Sequence, residues 1–137
     1  MNLTNEYITT KERVDYGNGV KTVCVSTCLN YFNVPYDSYN YTSSKKNLFA
    51  YKNILRRNNY SVCSRMSEFG VKNKRTSLTV LKKTIKKSKY NSTDRFIVSV
   101  CTYTSAHLIV LDGDGNTIID TAKGARWKDV RLVSLVK

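Results

Sequence analysis

The sequence of 137 residues is poor in residue types that mark special architectures, with six Gly, one Pro, one Trp and one His. So little Gly and Pro excludes a collagen-like chain or a long flexible linker. No apolar run approaches the roughly 18 residues of a membrane-spanning helix, so we expect neither a membrane protein nor a membrane partner. The first residues lack a basic start followed by an apolar run, so we expect no secretory signal and a cytoplasmic location.

Acidic residues are also scarce, with 10 Asp and Glu against 23 Lys and Arg, for a formal net charge of +13. Hydrophobic residues make up 41% of the chain, which is enough for a core and excludes a disordered tail. The length predicts a single domain over residues 1–137, in which residues 1–15 could form an N-terminal arm. The abundance of Lys, Asn and Tyr fits an AT-rich genome such as that of a phage, whose proteins act in the host cytoplasm.

The four cysteines would stay reduced in the cytoplasm, so we expect no disulfide framework. Cys24 and Cys28 have the spacing of half a zinc site, but one histidine and no second close cysteine pair leave it incomplete. The run that begins at Asp112 starts like a calcium loop, yet it lacks the Gly and Glu required later in such a loop. We therefore expect no metal site and no cofactor.

Apolar spacing predicts helices first and strands afterwards. The helices are predicted at about residues 24–33, 45–57 and 77–87. The strands are predicted at about residues 60–63, 96–100, 107–112, 116–121 and 130–136. The run at 96–100 is almost wholly apolar, as in a central strand, and an Asp-Gly pair predicts a hairpin after residue 112. The fold class is therefore α+β, with N-terminal helices packed on a C-terminal antiparallel sheet.

His107 is the most informative residue, because the predicted hairpin relates it to Asp120. If Asp114-Gly115 is a two-residue turn, Ile109 lies opposite Asp120, and His107 becomes the diagonal neighbour of Asp120 on the same face. Their backbones are then roughly 7–8 Å apart, within reach of an imidazole–carboxylate hydrogen bond. A different turn length would reverse the face of Asp120, and both residues could instead be polar groups at strand ends.

Cys24 is the candidate nucleophile, because it begins a predicted helix. Backbone N–H groups and the helix dipole favour a thiolate at that position. Cys28 lies one turn further along the apolar stripe and is expected in the core, as are Cys63 and Cys101. A cysteine at a helix start, followed by His and Asp on one hairpin, is the set that cysteine-dependent acyl transfer uses.

This order of residues and elements resembles the papain-like cysteine peptidases, in particular the small bacteriocin-processing type and related phage and bacterial proteins. The matching segments are 22–37 around Cys24 and 106–113 around His107, within a resemblance that covers about residues 16–136. It implies a papain-like fold with Cys24 as nucleophile, His107 as base and later acid, and Asp120 as the group that orients His107. It also implies Asn18 as oxyanion donor, where the family has Gln six residues before the cysteine. Alternatively, Asn18 is a turn residue in an Asn-Gly pair.

Positive charge is concentrated between residues 72 and 89, which include eight Lys and Arg and no acid. The exposed face of the third predicted helix carries Lys82, Lys83, Lys86 and Lys87. These lysines could be a solubilising surface, or they could bind a polyanion such as nucleic acid, an anionic cell-wall polymer or an acidic protein.

The sequence leads to three functional hypotheses. The first is a cysteine hydrolase, a peptidase with a peptide or protein substrate, that works through an acyl-thioester on Cys24. The second is a non-enzymatic phage or bacterial binding protein that engages a host protein or nucleic acid through the basic face. The third is a cell-wall amidase, which a cationic surface would suit. The oligomeric state cannot be read from the sequence.

Overall fold

The computed structural model describes residues 13–15, 20–22, 24–34, 51–71, 76–101, 106–120 and 129–137. The described helices are α1 (Cys24–Tyr31), α2 (Tyr51–Arg57) and α3 (Leu78–Lys86). A short antiparallel pair consists of β1 (Arg13–Asp15) and β2 (Val20–Thr22). The other strands are β3 (Val62–Ser64), β4 (Arg95–Cys101), β5 (Ala106–Asp112), β6 (Thr117–Ile119) and β7 (Asp129–Val136). None of the helices over these ranges is long and apolar enough to span a membrane.

Strands β3 to β7 form one antiparallel sheet in the order β3-β7-β4-β5-β6. The central strand is β4, and every one of its residues is buried. Its almost wholly apolar sequence follows from that position, because neighbouring strands cover its edges and packed side chains cover its faces. The predictions of a central strand near residues 96–100 and of a last strand near 130–136 are confirmed.

Helices pack on both faces of this sheet. On one face, α1 and α2 bury side chains such as Leu29 and Leu55 against Leu108 and Val110. On the other face, α3 buries Leu81 and Ile85 against Ile109 and Leu111. Successive residues of a strand point to opposite faces, so even-numbered positions in the middle of β5 contact α1 and odd-numbered positions contact α3. Each buried aliphatic side chain contributes about 1.5–3 kcal/mol, which fixes both helix layers relative to the sheet.

The α+β class is confirmed, whereas the predicted order of elements is wrong in part. The described helices are few and do not form a separate N-terminal block, because β1 and β2 precede α1 and β3 lies between α2 and α3. The chain enters the five-stranded sheet between α2 and α3, because β3 pairs with the end of β7. Residues 13–15 of the predicted arm form β1, and its earlier residues lie outside the described ranges.

The helix ends are set by local hydrogen bonds. Helix α3 begins where the sequence predicts, because the Val80 N–H donates to the Ser77 hydroxyl oxygen at 3.2 Å. Helix α1 ends at Tyr31, and Asn33 follows in the left-handed region with a φ of 60°. The Val34 N–H then donates to the Leu29 carbonyl at 3.0 Å, which is the bond of a Schellman cap. Helix α2 closes in the same way at Asn59, with a φ of 69°, while the predicted start of that helix lies outside the described residues.

The turn between β5 and β6 is one residue longer than the sequence suggests. The Asp112 N–H donates to the Asn116 carbonyl at 2.9 Å, so residues 113–115 form the loop. The Asp112 carboxylate accepts the N–H groups of Asp114 and Asn116, each at 2.9 Å. Gly115 adopts a φ of 81°, which completes the three-residue hairpin loop.

A β-bulge in β6 compensates for the longer turn. Leu111 pairs with Thr117, but Val110 pairs with Ile119, so Ile118 is an extra residue on this strand. The extra residue cancels the offset introduced by the turn. Asp120 directly follows Ile119, the last paired residue of β6, and its carboxylate contacts the ring of His107.

Gly115→Ala is expected to destabilise the protein more than Gly70→Ala. Both glycines have a positive φ, 81° and 68°, where an L side chain costs roughly 1–2 kcal/mol. An added Cβ at Gly70 would meet nothing within 4 Å, whereas at Gly115 it would lie 2.3 Å from the Lys82 carbonyl oxygen. We therefore expect an additional loss of about 1–3 kcal/mol for Gly115→Ala in urea unfolding. Equal losses in the two variants would show that the hairpin does not pack tightly on α3.

Candidate active site

Cys24 is the first residue of α1 and lies where that helix meets the sheet. The apolar stripe of α1 fixes this position, because Val25, Cys28 and Leu29 are buried against the sheet in the same cluster. The N-terminal end of a helix carries positive partial charge, which favours a thiolate over a thiol. The side chain of Cys24 is only 1% exposed.

His107 and Asp120 are joined by a buried hydrogen bond. The His107 Nε2 atom lies 2.9 Å from the Asp120 Oδ1 atom, and the residues are 5% and 8% exposed. This is the contact that the hairpin argument predicts. A charge-assisted bond of this length fixes both the rotation of the ring and the site of one proton. Because Nε2 faces the carboxylate, Nδ1 is the ring nitrogen that can face the Cys24 sulfur.

The electrostatic surroundings of His107 favour the imidazolium form. Burial alone would lower the pKa of His107, since it disfavours a charged ring. The side-chain hydrogen bonds with Asp120 and Cys24, together with the negative charge of both groups, outweigh burial and raise the pKa to about 9. His107 therefore holds its proton at neutral pH, between the Asp120 carboxylate and the Cys24 sulfur.

Cys28 contrasts with Cys24, although it lies only one helical turn away. Burial raises the pKa of the Cys28 thiol, and the negative charges of Cys24 and Asp120 raise it further. Its Sγ donates to the Leu108 carbonyl at 3.7 Å. Cys28 is thus a neutral thiol that packs beneath the site, as its position on the apolar stripe predicts.

The other two cysteines lie apart from this set. Cys63 is half-buried on β3, so its prediction as a core residue is wrong. Cys101 is buried at the end of β4, where the Arg131 Nε–H donates to its Sγ at 3.2 Å. The sequence does not reveal this contact, because it depends on a register shift between β4 and β7 beside Val100.

The remaining predicted site residues are not brought to Cys24. Asn18 lies outside the described residues, so its role as an oxyanion donor stays a prediction. The lysines of the basic helix lie on α3 and its C-cap, in the layer on the opposite side of the sheet from α1. They are Lys82, Lys83, Lys86 and Lys87.

No protein-family model, no curated protein and no solved structure matches this chain. The resemblance to papain-like peptidases rests on the residues and elements that the sequence itself presents.

Proposed function

We propose that this chain is a papain-like cysteine hydrolase that cleaves an amide bond in a peptide or protein. The observation that carries the proposal is the buried set of Cys24, His107 and Asp120, linked through the imidazole ring. Cys24 begins α1, His107 lies on β5, and Asp120 directly follows β6. Burying three ionisable groups costs desolvation energy, so the set contributes little net stability to the fold. A purely structural role is therefore a poor explanation for it. It is the set that a nucleophile, a proton carrier and an orienting group require.

In the proposed reaction, the Cys24 thiolate attacks the carbonyl carbon of the scissile amide. As the C–N bond breaks, the His107 imidazolium gives its proton to the leaving amine, and an acyl-thioester remains on Cys24. Neutral His107 then takes a proton from a water molecule whose oxygen attacks the thioester carbonyl. Cleavage of the C–S bond releases the acid and restores the thiolate and the imidazolium. Asp120 holds the ring in position and stabilises its charged form throughout.

The alternative of a cell-wall amidase uses the same bond changes on a different amide. The chemistry of the three side chains therefore does not separate a peptidase from an amidase, and the choice depends on the substrate. The alternative of a non-enzymatic binding protein is favoured by one observation, the 1% exposure of Cys24. If the site never opens to a substrate, Cys24 has no catalytic role and the chain would be a binding protein with a papain-like fold.

Cys24 is expected to alkylate at least about tenfold faster than the other cysteines, although Cys63 is more exposed. At about pH 6.5 an ordinary thiol with a pKa near 8.5 is only about 1% ionised, whereas an ion pair with imidazolium keeps Cys24 as thiolate. The measurement uses limiting iodoacetamide, a reagent small enough for a confined site, followed by mass spectrometry of each cysteine peptide. Cys63 is the internal reference.

A cleavage assay complements the labelling. The protein and its Cys24→Ser variant are incubated with a mixed peptide library and with cross-linked cell-wall peptides, and new termini are identified by mass spectrometry. Cleavage that depends on Cys24 assigns the hydrolase and its substrate class. Preferential labelling of Cys63 at every pH, together with no cleavage that depends on Cys24, would contradict the enzyme proposal and leave the binding protein.

A further inference from the structure

The outer surface of α3 plays no part in the proposed reaction, and lysines dominate it. Lys83, Lys86 and Lys87 are exposed, and Lys82 is half-buried at the edge of the face. Burial of the apolar side of the helix against the sheet rotates these lysines outward. Because residues four apart are neighbours on a helix, Lys82 and Lys86 form one row along the axis, and Lys83 and Lys87 form a second.

Among the described residues, no salt bridge joins a lysine of this face to an acidic side chain. Over those residues the salt bridges are Arg65–Glu68 and His107–Asp120, and neither includes a lysine of α3. The hairpin tip at Gly115 contacts the backbone of Lys82, yet no salt bridge joins the neighbouring Asp114 to the helix. Among the acidic side chains that the structure describes, Asp112 and Asp120 are buried within the fold, which leaves that part of the surface more positive.

We infer that this face of α3 binds the phosphate backbone of nucleic acid without reading its base sequence. Lysine ammonium groups are point charges that pair with phosphates and release counterions. The Arg fork and the Asn or Gln amide make the paired contacts that read base edges well, and aromatic rings stack on bases, but α3 has none of these residue types.

A protein partner fits this surface less well. Protein interfaces are depleted of Lys and are built around apolar or aromatic side chains. On the described surface, Val80 is the large hydrophobic residue that is exposed, at 53%. One valine beside four lysines does not form such an apolar centre. The sugar–phosphate backbone of nucleic acid does not need one.

The lysine face of α3 and the thiol site, which consists of Cys24, His107 and Asp120, are spatially separate. Helix α3 packs on one face of the sheet and α1, with Cys24, packs on the other. Nucleic acid on α3 would lie on the other side of the sheet from Cys24, so binding does not depend on the proposed hydrolase activity. Cys24→Ser is therefore expected to bind nucleic acid as tightly as the unmodified protein.

The test measures binding of a fluorescein-labelled DNA duplex of arbitrary sequence by anisotropy, between about 50 and 200 mM KCl. The double variant Lys83→Gln/Lys87→Gln is compared with Lys52→Gln/Arg57→Gln, which removes the same charge from α2 on the other side of the sheet. Loss of two phosphate contacts should lower the affinity roughly 10- to 50-fold near 0.1 M salt and reduce the slope of log K against log salt by about 1.8. The α2 variant should change both quantities far less.

Several results would overturn the inference. Equal losses in the two double variants would mean a diffuse effect of net charge and no binding face on α3. Tighter binding of polyglutamate or inorganic polyphosphate than of the duplex, at equal charge concentration, would exclude nucleic acid as the ligand. A strong preference for one duplex sequence would contradict backbone recognition. Circular dichroism and the urea midpoint of each variant should match those of the parent protein, so that a loss of binding reports the surface itself.

Discussion

Replacing His107 is expected to reduce amide hydrolysis roughly 10³-fold, because the ring is the proton carrier in both halves of the proposed reaction. The same change should slow alkylation of Cys24 by about 100-fold near pH 6.5, since the thiolate loses its cationic partner and reverts to an ordinary thiol. His107 is the sole histidine in the chain, so no other imidazole can substitute for it. His107→Gln is the first variant to measure, because it preserves volume and can still donate to Asp120. His107→Ala tests the same point with the ring removed.

Asp120→Asn should slow both reactions less, because the base remains and only its orientation and charge stabilisation are weakened. Asp94→Asn is a suitable matched control. Its carboxylate accepts the Asn91 N–H at 3.0 Å in a local turn and has no part in the thiol site. Urea unfolding of each variant separates a local effect from loss of the fold. If Cys24 were alkylated at the same rate in the His107 variants as in the parent protein, that result would contradict the thiolate–imidazolium pair.

The relation between His107 and Asp120 was predictable from the sequence only through a simplification. The pair Asp114-Gly115 predicts a two-residue turn, while the structure has a three-residue loop and an extra residue at Ile118. Either change alone would shift the pairing of β6 with β5 by one residue. Strand pairing depends on the energy of the whole hairpin, so a bulge inside β6 cannot be read from local residue types. The contact between His107 and Asp120 was predicted, whereas the turn and the bulge that precede it were not.

Periodic features were predicted best. The stripe of α1 is fully buried, and Ser77 caps α3, because both depend on residues close in sequence. The cap of α1 at Asn33 was missed, since its left-handed backbone is one of several conformations open to Asn.

Pairing over long sequence separations was predicted least well. The pairing of β3 with β7 and the contact between Arg131 and Cys101 depend on chain paths that no local pattern encodes. The sequence also indicates the Cys, His and Asp of the thiol site, but it does not predict whether a substrate can reach them. The 1% exposure of Cys24 is a property of tertiary packing alone.

Amide hydrolysis is expected to fall about tenfold for each pH unit above pH 9, while cleavage of an activated ester of the same acyl group stays constant. The hydrogen bonds and charges of Asp120 and Cys24 raise the pKa of His107 to about 9, so the proton needed by a leaving amine is present below that pH and lost above it. A nitrophenolate leaves without a proton, and the thiolate remains ionised at high pH. The value of kcat/KM reports acylation for both substrates, so their difference isolates proton donation by His107.

The pH at which amide hydrolysis begins to fall then tests what raises the pKa of His107. Asp120→Asn removes one negative charge that raises the pKa of His107 and leaves a weaker, neutral acceptor for its ring N–H, so the fall in amide hydrolysis should begin at a lower pH. The Cys24→Ser variant gives the rate of hydroxide attack to be subtracted, and circular dichroism at each pH shows whether the fold persists. If amide hydrolysis already fell near pH 6.5, the ordinary pKa of histidine, neither Asp120 nor Cys24 would be stabilising the imidazolium. If the amide and the ester fell together above pH 9, the loss would lie in the thiolate or the fold and not in the proton of His107.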